Sequence, residues 1–529
     1  MKRVLGIIFL VLLLVGVALW LVVRSVQGPE LEQAQTDLRF VEVPVNWSHE
    51  SNLDIALPFM AAAIIDVDND GVDEVFVGGG TDQADALLTY NGGNFQPLKS
   101  AQVFAAHAKT PSYGAASLDM DGNGYADLFV ARETGLWLYM NTAGELTEHQ
   151  IPVDFAENTA PLSIALGDID NDKDADLYIS GYIKIAFVEG ETIFNKAYGA
   201  YSYLLRNDGG LQFTDISKEA GVFRQHNTFT AAFLDLDNDR DSDLVIAQDT
   251  GVVEMYANTR DGKFVELPPA EAFSYPMGLG FGDYDNNGLI DLYFSNVGNT
   301  LPKFMVRGDL TDEQKLNTDY ILLRNDGALK FSDTASQTDS AKHGFGWGVV
   351  MHDMNLDGLQ DLLVAQNYAR FPGVEYLELY KGRFLQQNDF GKFQPAEETS
   401  GAANPYFAMT PLVSDFNNDG WPDLVWANLT GPLRVLLSKG GKNHGLKVRL
   451  PNNAASLGAR VFVTLSDGTV LSDQFATSEG LGSDSSHDLV FGIGTERTAL
   501  EVKVVFADGH ARVIENPPVN SILAIEPAQ

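Results

Sequence analysis

Asp, Asn or Glu recurs seven times at positions 1, 3, 5 and 9 of a nine-residue stretch. The first stretch holds Asp66, Asp68, Asp70 and Glu74, the second Asp119, Asp121, Asn123 and Asp127, the third Asp168, Asp170, Asp172 and Asp176. The fourth holds Asp235, Asp237, Asp239 and Asp243, and the fifth Asp283, Asp285, Asn287 and Asp291. Asp353, Asn355, Asp357 and Asp361 form the sixth, and Asp415, Asn417, Asp419 and Asp423 the seventh. Like charges packed this closely repel one another unless a cation sits among them. Hard oxygens at alternating positions, with a backbone carbonyl near position 7, suit Ca²⁺; octahedral Mg²⁺ accepts fewer protein oxygens. The expectation is about seven calcium ions, one per stretch. The bland alternative is a set of Asx-rich turns without metal. Position 6 is Gly in five stretches, where a positive φ is free of strain; it is Lys173 and Arg240 in the third and fourth.

The flanking residues say what must hold these acids. Position 12, an acid in a helix–loop–helix calcium site, is here Val77, Val130, Ile179, Ile246, Phe294, Val364 or Trp426. Each stretch lies between short apolar runs, the pattern of a β-hairpin. A second hairpin signal follows in several copies, as in residues 204–209 before Phe213 and residues 322–327 before Phe331. The units therefore hold about four strands each, and first aspartates lie 53, 49, 67, 48, 70 and 62 residues apart. This predicts an all-β chain with a seven-bladed β-propeller over residues 45–440, an open β-solenoid being the alternative. Strand direction places the acidic stretches at one face and the next connections at the other. Three of those connections are long, 182–202, 297–319 and 367–380, the last carrying Tyr368, Arg370, Phe371, Tyr376 and Tyr380. Such insertions, with aromatics beside basic residues, are expected to form a recognition surface.

The remaining signals bound the setting. Across 529 residues, 35 Lys and Arg face 72 Asp and Glu, a net charge of −37 that argues against nucleic acid. Cysteine is absent, so disulfides and thiolate chemistry are excluded. Residues 4–23 form an unbroken apolar run behind Lys2 and Arg3, long enough for a transmembrane helix. Residues 1–24 thus read as a membrane anchor or a signal segment, 25–44 as a tether, and the rest as lying outside the cytoplasm. Alternating apolar residues in 446–450, 461–465 and 502–506, with turns at Asp467-Gly468 and Asp508-Gly509, predict a small β-sandwich or barrel over 443–527.

At this level the chain resembles known modules. The acidic hairpins, with Gly278 to Gly282 ahead of the fifth, resemble the FG-GAP/VCBS repeats of the integrin alpha-subunit head. The segments before Phe213 and Phe331 resemble the cartilage acidic protein family, and residues 443–450, 458–461 and 489–494 resemble the ASPIC/UnbV domain. With no cysteine, the resemblance is to a bacterial member. It implies an extracytoplasmic, calcium-binding scaffold for protein or glycan binding and adhesion at the cell envelope, touching membrane through the N-terminal helix only. The place is the periplasmic side of an inner membrane, or the cell surface. None of the nine His forms a zinc pair, and no nucleophile elbow or phosphate loop is present. The reading is a non-enzyme; a polysaccharide hydrolase or lyase, or an envelope assembly factor, are the alternatives.

Overall fold

Every acidic stretch sits between two strands. The computed structural model describes residues 32–527 except 191, 261, 270–271, 301–305 and 368–380. The expected membrane segment 1–24 and most of the 367–380 insertion therefore lie outside the described residues. Among those described, no helix is long and apolar enough to cross a membrane. The structure is all-β, built of many small sheets with few short helices.

From residue 40 to residue 438 the strands fall into seven four-stranded units. In the second, Ser112–Leu118, Asp127–Arg132, Gly135–Thr142 and Glu145–Ile151 pair antiparallel in chain order. The first strands of the units are Ala62–Ile65, Ser112–Leu118, Thr159–Gly167, Thr228–Leu234, Leu279–Gly282, Gly346–His352 and Ala408–Ser414. Each touches the next and the last touches the first, so the run closes on itself. Flanked on both sides, Ser112–Leu118 and Thr159–Gly167 are buried at every position. They read as continuous rather than alternating apolar runs for that reason.

The seventh unit takes its fourth strand from the start of the chain. Phe40–Val43 pairs antiparallel with Arg434–Ser438, Phe40 opposite Ser438 and Val43 opposite Val435. Phe40 and Val43 are buried, while Val41 and Glu42 face outward; Glu42 meets Arg434 at 2.8 Å. The stretch 25–44, expected to be a tether, thus ends in a strand. Four residues are too short to display a period. Just upstream, Ala34 N donates to Pro395 O at 2.6 Å, and Gln33 bonds Glu397 and Glu398.

The C-terminal residues form two sheets, one ordering Leu489–Gly494, His444–Arg449 and Ile522–Ala524. The other orders Val470–Gln474, Arg460–Leu465, Ala499–Val505 and Ala511–Glu515. Between them, residues 474–484 enter the axis of the ring from the acidic face and bond every unit. Ala62 N donates to Gly482 O at 3.2 Å and Ser117 N to Asp484 Oδ2 at 2.9 Å. Leu166 N donates to Thr477 Oγ1 at 3.0 Å and Asp235 N to Gln474 Oε1 at 3.1 Å. Leu279 and Gly480 exchange backbone bonds, Met351 N donates to Glu479 Oε1 at 2.7 Å, and Thr410 and Ser483 share a hydroxyl bond at 2.8 Å. The other end of the axis is filled by aromatics around Phe59, whose ring lies 5.1 Å from Tyr182 and 5.9 Å from Phe229.

Candidate metal centres

The seven stretches share one hydrogen-bond scheme. The position-1 carboxylate accepts from the amides of positions 5 and 6, at 3.1 and 2.8 Å for Asp66 and at 3.0 and 2.9 Å for Asp415. In six stretches the position-9 carboxylate accepts from position 2 and from the end of the third strand, whereas Glu74 accepts from Val67 N at 3.0 Å. For Asp291 these donors are Tyr284 N at 3.0 Å and Asn325 N at 2.7 Å. Wrapping the backbone around two acids turns positions 3 and 5 toward the same centre. The wrap needs left-handed backbone twice, with φ between 74° and 91° at position 6 and between 52° and 71° at position 4. Position 4 escaped the sequence reading, although it is Asn in five stretches, a residue that tolerates this conformation.

In five stretches carboxylate oxygens converge to within 4.8 Å of one another. The groups are Asp66, Asp68 and Asp70; Asp119, Asp121 and Asp127; Asp168, Asp170 and Asp176; Asp235, Asp237 and Asp239; and Asp283, Asp285 and Asp291. Glu74, Asp172 and Asp243 lie in the same loops but outside these triads, as do Asn123 and Asn287, which bring amide oxygens. Asp353, Asn355, Asp357 and Asp361 form no such carboxylate group, nor do Asp415, Asn417, Asp419 and Asp423. There the Asn355 and Asn417 amides each donate to the position-5 acid at 2.9 Å. The donor set fits a hard divalent cation. In the third stretch Asp170 Oδ1 is buried without a hydrogen-bond donor, an oxygen that a cation would satisfy.

Burial, reinforced by neighbouring acids, pushes these carboxyls upward. Asp66, Asp168, Asp235 and Asp283 rise to about 6. Glu74, Asp176, Asp243 and Asp423 rise to about 8, and Asp291 to about 9. Unfolded carboxylates titrate near ~4. Between pH ~4 and ~8 the metal-free folded chain therefore holds protons that the unfolded chain has released, and its stability falls as pH rises. A metal requires the ionised form and expels those protons. Chelated protein is expected to melt higher at pH 5 than at pH 8, with the gain from added calcium growing over the same interval. Melting curves in EDTA and in calcium check this; a chelated melt that climbs toward pH 8 contradicts it.

The C-terminal sheets lie directly on the acidic stretches. Lys447 Nζ stands 2.9 Å from Asp415 Oδ2, and Ser472 Oγ donates to Asp283 Oδ2 at 2.6 Å. Arg460 donates to Asn238 Oδ1 at 2.6 Å and Gly288 O at 3.1 Å, bridging the fourth and fifth stretches. Asp119 N donates to Asn452 O at 2.7 Å, and Arg497 donates to Asp357 O. Lys173 and Arg240, the two side-chain-bearing residues at position 6, reach the 508–509 turn. Lys173 Nζ is 3.3 Å from Asp508, and the Arg240 guanidinium fills the space beside Gly509. Leu356, the odd residue at position 4, is buried against Gly445 and Gly492. A further set of asparagines links neighbouring units. Asn141, Asn258 and Asn325, each at the end of a third strand, donate to Val67 O, Ile169 O and Leu236 O in the preceding unit's acidic stretch.

Acidic hairpin loops repeated on four-stranded units, capped by a small β domain, define a repeat protein whose loops could hold metal ions. Residues 66–130, 119–179 and 235–294 match the FG-GAP-like repeat, and residues 449–529 match ASPIC and UnbV. The chain thus carries FG-GAP-like repeats and a C-terminal ASPIC/UnbV domain. The matched repeats span the first five acidic stretches, the same five whose carboxylates converge. Cartilage acidic protein 1 of Xenopus tropicalis is 22% identical over 518 residues, covering 88% of this chain and 73% of that protein. Among solved structures, BBS1N in complex with ARL6DN aligns with a TM-score of 0.43 and 11% identity, over 76% of this chain and 98% of that one.

Proposed function

We propose that this chain is a calcium-binding, seven-bladed β-propeller scaffold, residues 45–440 closed by the strand at 40–43, with its 443–527 domain fixed over the metal face. In this reading it is anchored through residues 1–24 outside the cytoplasm and binds a protein or glycan partner at the cell envelope. One observation carries the reading: residues 474–484 bond all seven units from the acidic side. The acids therefore serve to hold the ring and its cap, and recognition falls to the opposite face. A polysaccharide-active centre finds no comparable support. Four acids outside the loops, Asp473, Glu479, Asp484 and Asp488, line a cavity of about 60 Å³, room for a few waters rather than a sugar chain.

Calcium titration of the apo protein by calorimetry tests the metal part. Five tight sites are expected, from the converging triads, with the sixth and seventh stretches filling more weakly because an Asn replaces the position-3 acid. A total of one ion or none would overturn the assignment.

A further inference from the structure

We propose that the face opposite the acidic stretches is turned toward the membrane and docks on the exposed surface of a membrane-embedded protein. The inference rests on the anchored reading above and on where the chain leaves the ring. Gln33 and Ala34 bond residues 395–398. Those residues follow Phe393–Pro395, the fourth strand of the sixth unit, and lead to the next first strand, which places them at the end away from the acids. Between Glu32 and Val23, the last residue of the apolar run, the chain can span no more than about 30 Å even fully extended. The rim of that face is therefore held beside the bilayer.

The same face carries the exposed large apolar side chains Ile55, Phe187, Val188 and Tyr406, with 57, 41, 47 and 43% of their surface open. They belong to connections on that end of the sheets: 44–61, 184–202 and 396–407. Residues 193–195 of the 184–202 connection are braced. Phe194 N donates to Asp309 Oδ1 at 2.6 Å, Asn195 Nδ2 to Asp309 O at 2.8 Å, and Thr250 Oγ1 to Ile193 O at 2.6 Å. Apolar groups held open on a braced backbone lose little conformational freedom on binding, which is what a preformed interface needs. The acidic face has its own domain seated on it. A lipid surface is the poorer occupant, because a chain of net charge −37 is repelled by anionic headgroups. A partner that itself sits in or on the membrane lies within constant reach of a tether this short.

The test places a photo-crosslinking benzoylphenylalanine in the full chain, in membranes of the producing cell, at Phe187 or Tyr406 and, for comparison, at Phe390 or Val513 on the acidic side. The expected result is one adduct, from Phe187 and Tyr406 only, with a protein that resists alkaline extraction. Ile55→Asp with Val188→Asp should cut the Tyr406 adduct at least fivefold while the melt stays unchanged. The partner, purified into nanodiscs, should bind the chain but not this double variant. Adducts with lipid, with a second copy of the chain or with a soluble protein, adducts of equal yield at all four positions, or no adduct, would overturn the inference. Alkaline extraction of the chain itself separates the two failures. Release from the membrane defeats the anchored reading, whereas retention without the adduct defeats only the docking.

Discussion

Chelation with EDTA lowers the melting temperature by at least about 10 °C. Each ion that binds only the folded chain stabilises it by about 2.7 kcal/mol at a hundred times its dissociation constant, so five converging triads contribute on the order of 10 kcal/mol together. That is as large as the whole stability of an ordinary domain. Without the ions, the buried acids can remain in place only by taking up protons. Differential scanning calorimetry of calcium-loaded and chelated protein checks the expectation, and a melt indifferent to EDTA would show that the acidic loops hold themselves.

Gly492→Ala is expected to lift the C-terminal domain off the sixth acidic stretch. A methyl group at this position would stand 2.0 Å from Asp353 Oδ2 and 2.3 Å from the Leu356 carbonyl carbon. Neither can retreat, since Asp353 is held by the amides of Asp357 and Gly358 and Leu356 is buried beneath Gly445. Inserting a group into a packed contact commonly costs 1–3 kcal/mol, roughly, and here the clash is with backbone. The variant should become sensitive to protease at residues 439–443 and melt several degrees lower. Gly93→Ala, where an added methyl meets nothing within 4 Å, is the control. Identical digestion patterns for the two variants would remove the contact at Gly492 from the account of how the domain is held.

The acidic stretches were legible because their information is local: nine residues specify the turns, the acids and the apolar strands on either side. Repetition supplied the rest, including the four-strand count per unit. The docking of the C-terminal domain was not legible, because it is spread over pairs distant in sequence. Lys447 looks like an ordinary strand lysine, and only its place beside Asp415 gives it meaning. Glu479, in a loop that reads as polar and unremarked, is held by the amides of Met351 and Phe281. Two departures from the repeat lie at that contact. Lys173 and Arg240 stand where Gly is expected, and Leu356 where Asn is; all three take strained backbone angles and all three face the C-terminal domain. Breaks in a repeat are thus better guides to its partner surfaces than the repeat itself. The strand at Phe40–Val43 left no such mark, being too short and half exposed.

That strand also dictates an order of events during synthesis. Phe40 and Ser438 pair although they lie about four hundred residues apart, so the ring cannot be sealed until nearly all of it has been made. Contacts of such long range form late, after their loop entropy has been overcome. Until then Phe40–Val43 is an unpaired strand, open to the wrong partner. In the anchored reading proposed above, the first strand is held near the point of export and stays at hand while six units form beside it. The chain is built as an open arc with its clasp waiting at the start, and the last unit to emerge is the one that fastens it.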